Sequence, residues 1–97
     1  MKYELSEFAV LDLEDIYVYS AQQFGVNQAE KYFQDVIEQC EQLQIYPELG
    51  QDISDIKQRY RRLVHQSHVI YYRLDAKKIL IARILHGSQD PARHLSL

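Results

Sequence analysis

Apolar residues between positions 9 and 24 recur at steps of three and four: Ala9, Leu13, Ile16, Ser20 and Phe24 form one stripe, which Tyr17 widens. That spacing is the signature of a helix with one buried face, and it predicts a first helix over Glu7 to about Phe24. Ser6 is a good N-cap and Glu7 suits the positive end of the helix. Gly25 then supplies a residue that can end it. Asn27, with Glu30 three residues on, reads as a capping box and predicts that a second helix starts there and runs to about Ile45. Its stripe is Ala29, Tyr32 or Phe33, Val36, Cys40 and Leu43. Pro47 cannot continue the helix, and it biases Tyr46 out of helical geometry. A break of two or three residues between the helices predicts an antiparallel helix hairpin, whose apolar stripes must lie on something else.

The period changes on either side of this pair. Lys2–Leu5 alternates, with Tyr3 and Leu5 on one face. Tyr60–Val64, Val69–Tyr72 and Ile79–Leu85 are short runs rich in β-branched and aromatic residues, which read as strands. His65-Gln66-Ser67 and Asp75-Ala76-Lys77-Lys78 are the right length for hairpin loops. The last run is apolar on both faces apart from Arg83, which predicts an internal strand. Residues 50–58 read as a polar crossing loop with a helical turn at Ile53 to Ile56. The tail after Leu85 reads as polar, turning at Asp90-Pro91. The order is β-α-α-β-β-β: an α+β fold with a mostly antiparallel sheet covered on one face by the helix hairpin. The 97 residues make a single domain, 1–97.

Charge divides the chain. Residues 1–56 hold two basic residues against twelve acidic ones, a balance of −10; residues 57–97 hold nine against two, a balance of +7. Acidic helices and a basic sheet therefore share one domain, and a basic face fits an anionic partner. Ordinary surface ion pairing is the plainer explanation. The basic set is Arg59, Arg61, Arg62, Arg73, Arg83 and Arg93 with His86, interleaved with Tyr60, Tyr71 and Tyr72. Arginine and tyrosine together can grip phosphates and stack on bases. The tyrosines are better read as core residues with hydroxyls at its edge, and Arg83 is evenly placed between a contact residue and an ion pair with a helix carboxylate.

Other chemistry is less well supported. His65 and His68 flank a turn and are expected on opposite faces, so no metal site is expected. Cys40 lies on a buried stripe and fits core packing better than nucleophilic chemistry. Asp12, Glu14 and Asp15 read as a solvated helix face. No Gly-rich phosphate loop is present, and no cofactor is implied. A lone cysteine fits a reducing cytoplasm. The opening Met1-Lys2-Tyr3-Glu4 lacks the apolar core of a secretory signal, and no apolar run reaches membrane-spanning length.

Three runs of the basic half, Tyr60-Arg61-Arg62-Leu63-Val64, Ser67-His68-Val69-Ile70-Tyr71-Tyr72-Arg73 and Ile81-Ala82-Arg83-Ile84-Leu85-His86-Gly87, resemble the ParE toxins of bacterial type II toxin–antitoxin systems, in the RelE/ParE superfamily. So do Tyr3-Glu4-Leu5-Ser6, Ala9, Asp12-Leu13, Ile16, Phe24-Gly25 and Gln28-Ala29, and Pro47 with Leu49-Gly50. The resemblance implies the β-α-α-β-β-β order found above. It also implies inhibition of DNA gyrase by trapping cleaved DNA, and neutralisation by a ParD-like antitoxin whose acidic, amphipathic segment orders on binding. No catalytic residue is then required. Arg83, His86 and Arg93 are the first candidates for the target contact, and Arg59, Arg61, Arg62 and Arg73 for the antitoxin or anionic surface. Sequence-specific DNA binding falls to the antitoxin, not to this chain.

The RelE-like branch implies a different activity, ribosome-dependent mRNA cleavage. That chemistry needs a group to activate the 2′-hydroxyl and another to stabilise phosphate charge. Here Gly87 is followed by Ser88-Gln89-Asp90 rather than basic residues, no tyrosine follows Tyr72, and the lysine-rich first sheet strand is missing. Arg83 and His86 keep that alternative open. A non-toxic interaction module or a decayed toxin is the third reading.

Overall fold

Ser6 begins the first helix as expected: its hydroxyl accepts the Ala9 N–H at 3.0 Å and donates to the Ala82 carbonyl at 2.6 Å, so one residue caps the helix and fastens it to the sheet. A computed structural model describes residues 1–95. The elements are β1 (Lys2–Leu5), α1 (Glu7–Phe24), α2 (Val26–Ile45), β2 (Gln51–Asp52), β3 (Tyr60–His65), β4 (His68–Asp75), β5 (Lys78–His86) and α3 (Pro91–His94). The fold is α+β, with the expected helix hairpin and strand order. The sheet order is β1-β5-β4-β3-β2, with β1 parallel to β5 and the other pairs antiparallel.

Several boundaries differ from expectation, each for a local reason. The helices are separated by Gly25 alone, at φ 91° and ψ 162°, and no side chain caps α2. Asn27 therefore lies inside α2 and forms no capping box. Only glycine adopts that backbone geometry cheaply, so the sharp reversal is fixed there. The hairpin turns are the two-residue pairs Gln66-Ser67 and Ala76-Lys77, with Gln66 and Ala76 at positive φ. The crossing loop contributes a two-residue strand, β2, and the tail contributes α3, whose N-cap Asp90 accepts the Ala92 N–H at 3.0 Å.

The core lies on both faces of the sheet. The larger cluster joins Ala9, Leu13, Ile16, Val36, Cys40 and Leu43 of the helices to Ile70, Tyr72, Ile79, Ile81 and Ile84. The smaller lies on the opposite face and joins Ile53, Tyr60, Val69, Tyr71, Leu85 and Leu95. Phe24, expected on the buried stripe, is 69% exposed, at the last residue of α1. Cys40 is fully buried, and burial pushes its thiol up to about 12, as a core residue requires.

Ala82 is a β-bulge: Tyr72 pairs with Ile81 and Tyr71 with Arg83, leaving Ala82 opposite neither. The extra residue flips the alternation of β5. Ile79 and Ile81 face the helices before it, and Ile84 does so after it. That is why the run looks apolar on both faces.

Tyr72 closes the connection from α2. Its hydroxyl donates to the Pro47 carbonyl and accepts the Gly50 N–H, both at 2.8 Å. A Cβ at Gly50 would lie 2.6 Å from that hydroxyl, so the close approach needs glycine.

Candidate functional site

Past the end of β1, the edge of β5 has no strand beside it. Side chains cover its N–H groups instead. Asp12 of α1 accepts the Ile84 N–H at 2.9 Å and Gln89 accepts the His86 N–H at 2.8 Å. The same Asp12 carboxylate receives Arg83 through Nε at 2.8 Å and Nη2 at 2.9 Å, a two-pronged ion pair whose side chains are 20% and 12% exposed. Asp12 is therefore not part of a solvated face. It stands in for a missing strand and holds the edge arginine, which removes a template for unwanted strand pairing. Its position three residues after Ala9 and four before Ile16, on the flank of the buried stripe, is the signal that could have marked it.

Arg83 also donates from Nη1 to the His94 carbonyl at 3.1 Å and lies 5.7 Å from the centre of the Phe8 ring. Lys57 donates to the Leu95 carbonyl. Two cations thus meet the carbonyl end of α3, where charge and hydrogen bonding favour them. Leu95 is buried in the outer cluster, so the C-terminal segment is fastened over that face of the sheet. Arg93 on α3 is exposed, and so is His86 at the end of β5; the His86 ring is held within its own turn by Ser88, at 2.7 Å from the hydroxyl.

Strand register sorts the remaining basic residues. Arg61 pairs with Tyr72 and Arg62 with Tyr71, so these neighbours leave opposite faces of the sheet. Arg61 is committed locally, donating to the Gly50 carbonyl at 2.7 Å. Arg62 and Arg73 lie on the outer face beside Tyr71 and Tyr60. Arg59 is exposed, in the turn before β3, at φ 70°. Tyr60, Tyr71 and Tyr72 are all buried, as core residues.

The register also corrects the placing of His65 and His68. They are cross-strand partners, and His68 pairs in turn with His86, so the three form a row on the helix-facing side. The turn between them, Gln66-Ser67, returns the chain to the same face, which the odd–even count along one strand missed. Tyr32 of α2 lies over the row, 5.6 Å from His65 and 5.5 Å from His68 between ring centres, with its hydroxyl 2.6 Å from His68 Nδ1. Burial lowers the His68 pKa, and the nearby His86 and His65 lower it further. Beside the row lies a cavity of about 410 Å³ bounded by Asp15, Tyr19, Phe24 and His86. Among the described residues no group of three or more histidine, cysteine, aspartate or glutamate side chains is placed to hold a metal.

The second exposed feature is on α1. Opposite its buried stripe, Phe8, Leu11 and Val18 are 59%, 54% and 53% exposed, on one helical face with Asp15 between them. Phe8 borders Arg83, so this stripe adjoins the β5 edge.

The molecule is a helix hairpin laid on a small mixed sheet, with an exposed apolar stripe on the outer side of α1 and arginines on the outer face of β3 and β4. The chain belongs to the family described as "ParE toxin of type II toxin-antitoxin system, parDE", which it matches over residues 3–91. It is 38% identical over 93 residues to Toxin ParE1 of Caulobacter vibrioides, covering 96% of each chain. It is 30% identical over 95 residues to Toxin ParE1 of Mycobacterium tuberculosis, covering 97% of each. A solved structure titled "Chromosomal ParDE TA system from P. aeruginosa" contains a chain that superposes with a TM-score of 0.78 at 27% identity, over 89% of this chain and 95% of that one. Among the described residues no helix is long and apolar enough to cross a membrane.

Proposed function

We propose that this ParE-type toxin acts in the cytoplasm by binding DNA gyrase and trapping cleaved DNA, and that a ParD-like antitoxin neutralises it. The observation that carries the reading is the match to the ParE family along residues 3–91, which takes in all of β5. The commitment of Arg83 to Asp12 favours it over a ribonuclease, because a guanidinium held in a two-pronged ion pair is not free to stabilise a transition-state phosphate. In this reading His86 and Arg93 meet the target, while Arg83 holds α3 in position for them. The antitoxin covers the exposed Phe8, Leu11 and Val18 stripe of α1 and the neighbouring sheet edge, in keeping with a solved neighbour that is a ParDE system.

The test is direct. The purified chain, freed of antitoxin, is incubated with gyrase, ATP and supercoiled plasmid, and the protein is then denatured. Linear DNA that appears with the toxin and vanishes on adding the antitoxin is the expected result. Growth arrest with gyrase untouched, accompanied by mRNA cleavage on translating ribosomes, would overturn the proposal in favour of the endonuclease reading.

A further inference from the structure

The outer face of β3 and β4 carries a checkerboard of arginine and tyrosine that the fold itself does not require. Tyr60 pairs with Arg73 across the strands, and Arg62 with Tyr71. The tyrosines are buried at 6% and 3% exposure and serve the outer core. The arginines make little use of their charge. Among the described residues Arg62 has no ion-pair or side-chain hydrogen-bond partner, and Arg73 reaches only its neighbour Asp75, at 3.6 Å. Each has an Nε–H that is shielded from solvent and unpartnered. Leaving such donors unmet is costly, and among the described residues neither Nε–H is held by an acceptor of the chain's own that would keep it from an anion. Diagonal cross-strand neighbours lie roughly 7–8 Å apart, so one extended anionic ligand spans both. Lys57 and Arg73 flank the Tyr60 ring at 5.2 and 5.9 Å. The acids that face this surface are Asp75 and Asp90.

We infer that this face is a binding site for the phosphodiester backbone of nucleic acid, with Arg62 and Arg73 as its paired phosphate contacts. Guanidinium groups suit phosphate because they offer parallel donors in a fixed fork. The buried tyrosines are unavailable for base stacking, so the contact is to backbone and independent of sequence. The identity of the ligand as DNA rests on the gyrase reading: the toxin would hold the broken DNA directly as well as the enzyme.

The test uses the free chain and a short labelled DNA duplex, followed by anisotropy across a salt series. Binding should weaken with salt, and Arg62→Gln/Arg73→Gln should bind about tenfold more weakly with a salt slope flatter by about two. Lys2→Gln/Lys31→Gln, in the acidic half, should bind as the parent does. In the unmutated chain the Arg62 and Arg73 Nε–H resonances should move on adding duplex while that of Arg61, held by Gly50, stays; this readout survives any folding defect in the variant. Equal binding by parent and double variant, or unmoved resonances, would overturn the inference whether or not gyrase is poisoned. So would an acidic peptide that moves them when duplex does not, and tighter binding of RNA would overturn the DNA assignment. Duplex binding as described, without gyrase poisoning, would leave the phosphate site standing and remove the gyrase reading.

Discussion

Asp12 does three things at once, and its loss should be felt beyond the ion pair. Asp12→Ala leaves the Arg83 guanidinium and the Ile84 N–H without their acceptor in a part-buried setting. Breaking a fully buried pair costs about 3–5 kcal/mol, and the residual exposure here brings the expectation to about 2–3 kcal/mol. Urea unfolding of Asp12→Ala, Arg83→Gln and the double variant measures it; the double variant should be closer to the parent than the sum of the singles. His68 gives a pH dependence of known sign. Its folded-state pKa lies below the ordinary 6.5, so the unfolded chain takes up the proton more readily. The stability that neutral His68 confers is full above pH 6.5 and declines as the pH falls from there through its folded value. Melting temperature should drop between pH 7 and pH 5, and His68→Gln should flatten that drop; an unchanged profile in the variant would place the titration elsewhere. These two residues also mark where reading one residue at a time stops. Asp12 looks solvated until β5 ends up beside it, and the histidines look opposed until the turn between them is known.

At the scale of elements, the periodic segments were legible because their stripes extend over many residues and average out local exceptions. α1 and β1 begin and end where the pattern places them, and β3, β4 and β5 are each present, longer by a residue or more at the hairpin ends. β2 and α3 were not legible, since two residues of strand and four of helix carry no period. β2 exists because Gln51 and Asp52 find Arg62 and Arg61 beside them, and α3 because Asp90 caps it and Arg83 and Lys57 hold its far end. The second face of α1 was also missed: Phe8, Leu11 and Val18 are spaced as regularly as the core stripe, but only packing decides which is buried. Because they are exposed, Leu11→Glu with Val18→Glu should alter stability by only about 0.5 kcal/mol each, while abolishing neutralisation by the antitoxin in a growth-rescue assay. Leu13→Glu, two positions from Leu11 but in the core, should fail to fold. A Leu11/Val18 variant that folds and is still rescued would move the antitoxin to another surface.

Over the whole molecule, the two faces of the sheet divide the labour, and the C-terminal segment ties them together. The helix side holds most of the core. The outer side is thinner, sealed by Ile53 and Leu95 over Val69, Tyr71 and Leu85. Arg83 links the two, since it touches Asp12 and Phe8 on α1 and the His94 carbonyl on α3. Toxicity and stability should therefore separate within three residues of chain. Leu95→Ala removes a buried anchor and should cost about 2–3 kcal/mol, the low end for a buried leucine because the cluster is small and near the surface. It should reduce gyrase poisoning only as far as it frees α3. Arg93→Ala, on the exposed side of the same turn, should leave unfolding within about 0.5 kcal/mol of the parent and lower the yield of linear DNA in the cleavage assay. Measuring both quantities on both variants separates anchor from contact. If Arg93→Ala poisons gyrase as well as the parent does, the C-terminal helix is part of the scaffold, and the target contact must be sought at His86 and on the arginine face of β3 and β4.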